Sequence, residues 1–468
     1  MPRTLFQKIW DAHFVTKRID GRELVYMDRT MVHELHGPKA FEKLRKAGRR
    51  VRRPDLTFAV QDHTISSRPG RDDETNPEGA PFLRAQRAGA AEFGFRIFDV
   101  GDPDQGISHV IGPELGMVLP GATHCVPDSH AATVGALGAL SFGCGTTELE
   151  HVLATQVLAM KRPRTMRLNL EGTLARHVTA KDVALYIIAR LGVAGASGYA
   201  VEYAGSAVRD MGIEARMTLC NLTVEFGGRS GFVAPDDKTF AWLKGRPFAP
   251  VGEAWDAAMS QWVDLHSDPD AEFDIEHTIE CSNLEPQITW GTTPAQVVGV
   301  GGHVPQTPAD AGLTDQSALD KALRYMDLRR GDALRGIKVD RVFIGSCTNG
   351  RIPDLKEAAE IVRGRKVAEG VIAMISPGSS SVRREAEALG LDVLFKEAGF
   401  YWAESACSMC AGGNGDRGRP GERVLSTTNR NFEGRQGPGV RTHLVSAGMA
   451  AAAAITGVIT DVREFAGN

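Results

Sequence analysis

The stretch that decides the fold is VDRVFIGSCTNGRIPDLKEAAEIV, residues 339–362. Its first part reads as a buried strand that runs into a polar loop ending at Gly350. Its second part has the apolar spacing of an amphipathic helix, at Leu355, Ala358, Ala359 and Val362. The stretch therefore predicts a strand, a loop and a helix, with Cys347 in the loop.

The next segment repeats this order of elements. VIAMISPGSS (371–380) is a second apolar run, and VRREAEALG (382–390) is a second helical pattern with a C-terminal glycine stop at Gly390. Strands that alternate with helices predict βαβ units and a mostly parallel sheet, so the fold class is α/β. Functional groups collect beyond the carboxyl ends of such strands, which is where Cys347 lies.

Length and composition narrow the class of protein. A chain of 468 residues is too long for one core, and two or three domains are expected. A net charge of -4 gives no general field for nucleic acid or anionic membranes, and we expect neither as a partner. No apolar run reaches the ~20 residues of a membrane span. The N-terminus also lacks a signal-peptide core, so we expect a cytoplasmic protein.

Two further segments have compositions that predict their local structure. AGMAAAAAITGVI (447–459) is short and mostly alanine, and we predict a buried helix there. Residues 233–274 are rich in Pro, Asp and Trp, and we expect an irregular connection between domains.

Seven cysteines, an odd and sparse set, do not suggest a disulfide framework in a chain of this size. CSMCAGG (407–413) contains a CxxC pair. A closed zinc site needs four ligands, so a zinc reading adds a distant histidine to Cys347, Cys407 and Cys410. Three cysteines on loops of one α/β domain also suit a cuboidal iron–sulfur cluster with one iron that has no protein ligand. Spacing alone leaves zinc, a redox pair and a cluster open.

Several motifs together carry a more specific signal. The chain resembles the aconitase superfamily over nearly its whole length and, within it, the large subunits of bacterial 3-isopropylmalate dehydratases. The resemblance implies three α/β/α domains packed around an iron–sulfur cluster, over residues 1–163, 164–300 and 301–468, without the C-terminal swivelling domain of single-chain aconitases. The motifs include VFIGSCTNGRIPDL (342–355), ACSMC (406–410), STTNRNFEGRQG (426–437), PDSHAATVGALGALSFGCGTTELEHVLATQ (127–156) and RTHLVSAGMAAAAA (441–454).

The resemblance also implies the chemistry. Members of the family dehydrate and rehydrate hydroxy acids, and the expected reaction is the interconversion of 2- and 3-isopropylmalate in leucine biosynthesis. Cys347, Cys407 and Cys410 match the ligands of one [4Fe-4S] cluster, whose open iron acts as a Lewis acid on the substrate hydroxyl. Arg430 and Arg435 match residues that grip substrate carboxylates, for which a guanidinium fork is suited. Asn429 matches a position close to the cluster, and Ser129 is included among the substrate-binding candidates.

Three histidine–carboxylate pairs carry over by motif. A carboxylate fixes the orientation of a histidine and favours its protonated form, and His63 is the expected proton donor to the departing hydroxyl. The pairs are Asp62 with His63, His109 with Asp128, and His130 with Glu202.

The resemblance further implies a partner. In two-subunit dehydratases a separate small subunit supplies the catalytic serine, and the present sequence ends too soon after residue 454 to hold that domain. Ala131, Val134, Cys144 and the 411–415 loop depart from the usual dehydratase text. A related hydratase acting on maleate, citraconate or another alkylmalate is therefore an alternative. An RNA-binding regulator and a zinc-stabilised scaffold without catalysis are alternatives from other classes.

Overall fold

The computed structural model describes residues 1–465, which form a mixed α/β protein and confirm the predicted class. The strands are β1 Phe14–Lys17, β2 Glu23–Tyr26, β3 Arg29–His33, β4 Thr57–Val60, β5 Arg96–Phe98, β6 Thr123–Val126, β7 Leu140–Gly143, β8 Val157–Met160, β9 Arg164–Glu171, β10 Tyr199–Ala204, β11 Ser230–Val233, β12 Ile275–Glu280, β13 Gln287–Thr289, β14 Val297–Gly299, β15 Arg341–Gly345, β16 Ile372–Ser376, β17 Tyr401–Trp402, β18 Arg423–Ser426 and β19 Arg441–Leu444. The helices are α1 Leu5–His13, α2 Gly37–Lys46, α3 Ala80–Phe93, α4 Ser108–Glu114, α5 Thr146–Thr155, α6 Ala180–Leu191, α7 Ser206–Asp210, α8 Ile213–Leu222, α9 Asp237–Leu243, α10 Glu253–Trp262, α11 Gln316–Met326, α12 Ile352–Val362, α13 Ser380–Ala388, α14 Leu391–Ala398 and α15 Ala447–Thr456.

Three larger sheets organise the chain. Their strand orders are β5-β4-β3-β6-β7, β11-β10-β9-β12 and β17-β16-β15-β18-β19, and every neighbouring pair in them is parallel. Each sheet takes its strands from one of the three predicted segments, 1–163, 164–300 and 301–468. Two short antiparallel sheets, β1-β2-β8 and β13-β14, complete the set.

The chain clusters into two compact units, each built from separated segments. The first comprises Met1–Ile65, Pro77–Gly172 and Ala196–Glu280, and it holds the first two large sheets. The second comprises Ser66–Asn76, Thr173–Gly195 and Cys281–Asn468, and it holds the third. The three-domain boundaries stay a prediction.

The central βαβ prediction is confirmed in the second unit. β15 lies in the middle of its sheet, and α12 buries all four apolar positions named from the sequence. The polar loop between them turns back sharply at Gly350, where a Cβ atom would lie 2.8 Å from the carbonyl oxygen of Ser346. Gly390 ends the next helical segment in a left-handed conformation, as predicted.

The predicted helix in the alanine-rich segment is α15, whose residues are buried from Ala447 to Ala454. The expectation for residues 233–274 is partly wrong. That segment contains α9 and α10, and α9 starts with a capping box formed by Asp236 and Thr239. Within residues 1–465, every helix is too short or too polar to cross a lipid bilayer.

Candidate active site

In the first unit, the His63 imidazole lies between two carboxylates. Its Nδ1 is 2.5 Å from Asp62 Oδ1 and its Nε2 is 3.3 Å from Asp128 Oδ2. Burial alone would lower the pKa of His63, but Asp62 and Asp128 outweigh it and raise that pKa well above its usual value. Carboxylate oxygens face both ring nitrogens, and this arrangement favours the imidazolium form, which can give up a proton.

The loop after β4 is fixed by Glu34, which directly follows β3. The Glu34 carboxylate accepts from the backbone N–H groups of Asp62 at 3.2 Å, His63 at 2.7 Å and Thr64 at 2.5 Å. His33 stacks on His63 with ring centroids 4.3 Å apart. Since β3 and β4 are parallel neighbours, their carboxyl ends bring these side chains to one edge of the sheet.

Asp128, just after β6, connects the predicted pairs. Its Oδ1 lies 2.8 Å from His109 Nε2 and accepts from the backbone N–H of His130 at 2.7 Å. Burial would raise the pKa of Asp128, but His109, His130 and His63 hold it well below the usual range. Burial likewise opposes the ionisation of Asp62, yet His63, His33 and the Ser108 N–H lower its pKa to about 2. The first two predicted pairs are therefore in contact.

The third predicted pair is wrong. His130 Nε2 lies 2.7 Å from Glu225 Oε1, whereas Glu202 accepts from the hydroxyl of Ser267 at 2.7 Å. Glu202 is on β10 and Glu225 is in the short 3₁₀ helix after α8, and only the second reaches the histidine. On the other face of His130, the Ser129 hydroxyl lies 3.2 Å from Nδ1.

Two of the sequence departures lie beside this cluster in the chain. Ala131 and Val134 belong to the 3₁₀ helix Ala131–Leu137 that follows His130, and both are fully buried. Both side chains therefore belong to the interior of the first unit and expose no surface.

In the second unit, the three predicted sulfur ligands are buried thiols on two loops. Cys347 lies between β15 and α12, and Cys407 caps the short 3₁₀ helix Ser408–Cys410. Ser346 and Ser408, the neighbours of Cys347 and Cys407, have positive φ values of 76° and 50°. Strained serines beside both cysteines are typical of functional loops.

The Asn429 side chain joins two of the sulfurs. Its Nδ2 donates to Cys347 Sγ at 3.5 Å, and its Oδ1 accepts from Cys410 Sγ at 3.3 Å. One planar amide thus contacts both loops, and the two thiols lie around a common point. Asn429 is fully buried, so this contact is shielded from solvent.

Asp416 stabilises the CxxC loop through hydrogen bonds. Its Oδ2 accepts from Ser67 Oγ at 2.5 Å, Ser408 Oγ at 2.7 Å and Asn414 Nδ2 at 2.7 Å. Met409, between the cysteines, is 1% exposed and belongs to the core cluster of this unit. The unusual 411–415 text therefore supplies contacts that shape the loop.

The two predicted arginines lie on the loop between β18 and β19, and both are half-buried. Arg435 Nε is buried without a hydrogen-bond partner among residues 1–465. Its guanidinium carbon is 5.7 Å from the centroid of the Phe432 ring. A buried guanidinium N–H that lacks an acceptor is suited to an anionic ligand.

Comparison with known proteins identifies the family. The sequence profile of the aconitase family (aconitate hydratase) matches residues 7–457. The chain belongs to the aconitase family. Among solved structures, the holo-form of Thermococcus kodakaraensis aconitase X is similar, with a TM-score of 0.43 and 13% identity. The alignment covers 91% of this chain and 89% of that one. The aconitase-like fold and a hydro-lyase class of activity follow from membership.

Aconitases carry a [4Fe-4S] cluster, and the second unit offers groups that fit one. Thiolates are the ligands that such clusters prefer, and an amide N–H beside a sulfur is a usual outer contact. The buried cysteines can supply the sulfur ligands, and the Asn429 N–H that donates to Cys347 Sγ supplies the outer contact.

Two contributors were missed from the sequence. Glu34 stands between two histidines in VHELH, and an acid at the end of a buried strand is a signal that could have been followed. Glu225 comes shortly after α8, but nothing local connects it with His130, which precedes it by 95 residues.

Proposed function

We propose that this aconitase is the cluster-bearing large subunit of a hydro-lyase that interconverts 2-isopropylmalate and 3-isopropylmalate. The observation that carries the proposal is the Asn429 amide between Cys347 and Cys410, within motifs that resemble the dehydratase large subunits. Buried thiols suit a reducing compartment, so we place the reaction in the cytoplasm.

In this proposal Cys347, Cys407 and Cys410 hold a [4Fe-4S] cluster. When bound, the cluster supplies a Lewis acid at the iron that has no cysteine ligand, which weakens the C–O bond of the substrate. Asn429 donates to sulfur and so spreads the negative charge of the thiolates. Met409, packed in the core, keeps the two cysteines of the CxxC pair at a fixed spacing.

His63 is the proposed proton donor to the departing hydroxyl. Asp62 and Asp128 keep it charged, and Glu34 fixes the backbone that carries it. Hydroxide is a poor leaving group. Its expulsion therefore needs a donor that is protonated at neutral pH and can transfer one proton to it. His109 and His130 keep Asp128 ionised, so that it can in turn hold His63.

Arg430 and Arg435 are the proposed anchors for the substrate carboxylates. The unpartnered Nε of Arg435 supports this role, because a carboxylate would satisfy it with a charge-assisted bond. The stacking of Arg435 on Phe432 restricts the guanidinium and lowers the cost of ordering it.

The base that removes the substrate proton is proposed to come from a small subunit. The reaction also needs a group to abstract a weakly acidic proton, and the resemblance assigns that group to a serine on a separate chain. A heterodimer or a larger assembly with this subunit is therefore the proposed active form.

Anaerobic co-expression with a candidate small subunit tests the proposal. Purified protein should contain iron and sulfide and should turn over isopropylmalate faster than maleate, citraconate or other alkylmalates. Cys347→Ala should abolish both the colour and the activity. Cys220→Ala, which alters another fully buried thiol of the same chain, should keep both. Stoichiometric zinc in place of iron, or full activity of Cys347→Ala, would refute the assignment.

A further inference from the structure

Lys181 is an unusual residue for the first turn of a helix. It is the second residue of α6, and its side chain is 0% exposed. Its ammonium donates to the carbonyl oxygens of Thr427 at 3.0 Å and Thr428 at 2.5 Å. A buried ammonium costs several kcal/mol of desolvation unless it is well paired. The hydrogen bonds to the two carbonyls must therefore offset that cost.

The two carbonyls that it binds belong to the segment that carries Asn429. Thr428 precedes Asn429 directly, and Asn429 contacts the sulfurs of Cys347 and Cys410. The Thr427 hydroxyl accepts from the N–H of Gly345 at 2.9 Å and donates to its carbonyl at 3.0 Å. One ammonium thus fixes the backbone at the point where the sulfur-bearing loop and the amide-bearing loop meet.

The lysine itself is held firmly. Thr179 and Asp182 form a capping box at the start of α6, with the Thr179 N–H and hydroxyl each 2.8 Å from Asp182 Oδ2. The other Asp182 oxygen accepts from the backbone N–H of Gln287 at 2.8 Å. Because the first turn is fixed on both sides, the ammonium has little freedom to follow a moving loop.

We propose that Lys181 is a positioning residue that holds the Asn429 amide against the sulfur ligands. This inference rests on the proposed function, since it gives Asn429 a role only if Cys347 and Cys410 hold the cluster. Without the ammonium, two adjacent carbonyls would lose their shared donor and the Thr427–Thr428 peptide would reorient. Asn429 would then no longer donate to Cys347 Sγ, and the cluster would lose an outer hydrogen bond that stabilises it.

The test is a double-mutant cycle on the cluster. Lys181→Met keeps the length of the side chain and removes the donor, and Asn429→Ala removes the amide. We expect each single variant to lose its cluster in air about tenfold faster than the wild type, followed by visible absorbance and EPR. The double variant should lose it no faster than either single variant, because both changes remove the same contact.

A matched control and a second substitution keep the outcomes clear. Lys356→Met changes an exposed lysine of the same unit and should keep the wild-type lifetime. Lys181→Gln, which can still donate to one carbonyl, should lie between wild type and Lys181→Met. A wild-type lifetime in Lys181→Met, or effects that multiply in the double variant, would overturn the inference. It is also overturned if neither Lys181 variant yields folded protein by circular dichroism, since the lysine is then a structural requirement only.

Failure of the inference and failure of the proposed function remain distinguishable. A wild-type protein that binds no iron and sulfide removes the proposed function itself. A wild-type protein that binds the cluster, beside a Lys181→Met variant with an unchanged EPR signal and lifetime, removes the positioning role alone.

Discussion

Because the Glu202 carboxyl is buried, we predict a specific pH dependence for the stability of the first unit. Burial raises its pKa from 4.5 to about 7, although the hydrogen bond from Ser267 acts in the opposite direction. Since the folded state binds this proton more tightly than the unfolded state, the stabilising contribution is complete below about pH 4.5. It is lost as the pH rises through 7. A shift of this size corresponds to about 3 kcal/mol, most of it lost between about pH 5 and pH 8.

Glu202→Gln removes the titration and keeps an oxygen that can accept from Ser267. We expect the free energy of opening of the first unit to fall with pH less steeply in this variant, by about 2 to 3 kcal/mol over the same range. Hydrogen exchange of the β10 amides measures that energy without assuming that the whole chain unfolds in one step. Other buried acids of the first unit, such as Glu34, whose pKa is raised by burial, contribute equally in both proteins and cancel.

The control is Glu272→Gln, which removes an exposed carboxylate of the same unit and should leave the pH slope unchanged. Equal slopes for the wild type and Glu202→Gln would refute the reasoning, because they would mean that burial does not hold this carboxyl protonated.

Three further variants address the site. Glu225→Gln should lower kcat for the proposed reaction about tenfold or more in a steady-state assay, because it removes the charge that faces His130, whereas Glu202→Gln should stay within about twofold. If Glu225→Gln and Glu202→Gln have the same effect on kcat, the contact between His130 and Glu225 plays no part in catalysis. Arg435→Lys should raise KM about tenfold with a smaller effect on kcat, since an ammonium cannot make the bidentate contact; an unchanged KM would argue against carboxylate binding. Asp416→Ala should speed hydrogen exchange in the 407–416 loop by about 2 kcal/mol of lost protection, and native protection there would contradict its bracing role.

The sequence predicted the elements best where local pattern decides them. The strand, loop and helix of residues 339–362 follow from apolar periodicity and one glycine, and the structure has all three. α9 and α10 were missed because aromatic residues, prolines and acids in residues 233–274 hide a short helical period. There, α9 starts at a local capping box of Asp236 and Thr239 that the sequence does contain, whereas the burial of Trp262 on α10 depends on tertiary context.

The residues of the candidate site differ in the same way: some contacts follow from motifs in the sequence, and others depend on the tertiary fold. Asp62 and His63 were paired by the resemblance to the family, and the structure has their contact. The partner of His130 could not be predicted, because Glu202 and Glu225 are two buried acids of one domain and only the three-dimensional path of α8 selects between them. Lys181 was also missed, since a lysine at the start of a helix reads as a solvated residue until its burial is known.

The discontinuous make-up of the two units has a consequence for biosynthesis. Ser66–Asn76 leaves the ribosome about 200 residues ahead of Cys281, where the bulk of its unit begins. The nascent chain must therefore carry this segment, and later Thr173–Gly195, without native neighbours while the first unit is already able to collapse. Ribosome-stalled chains ending near residue 280 should accordingly be cut by protease within these two segments more readily than in the first unit.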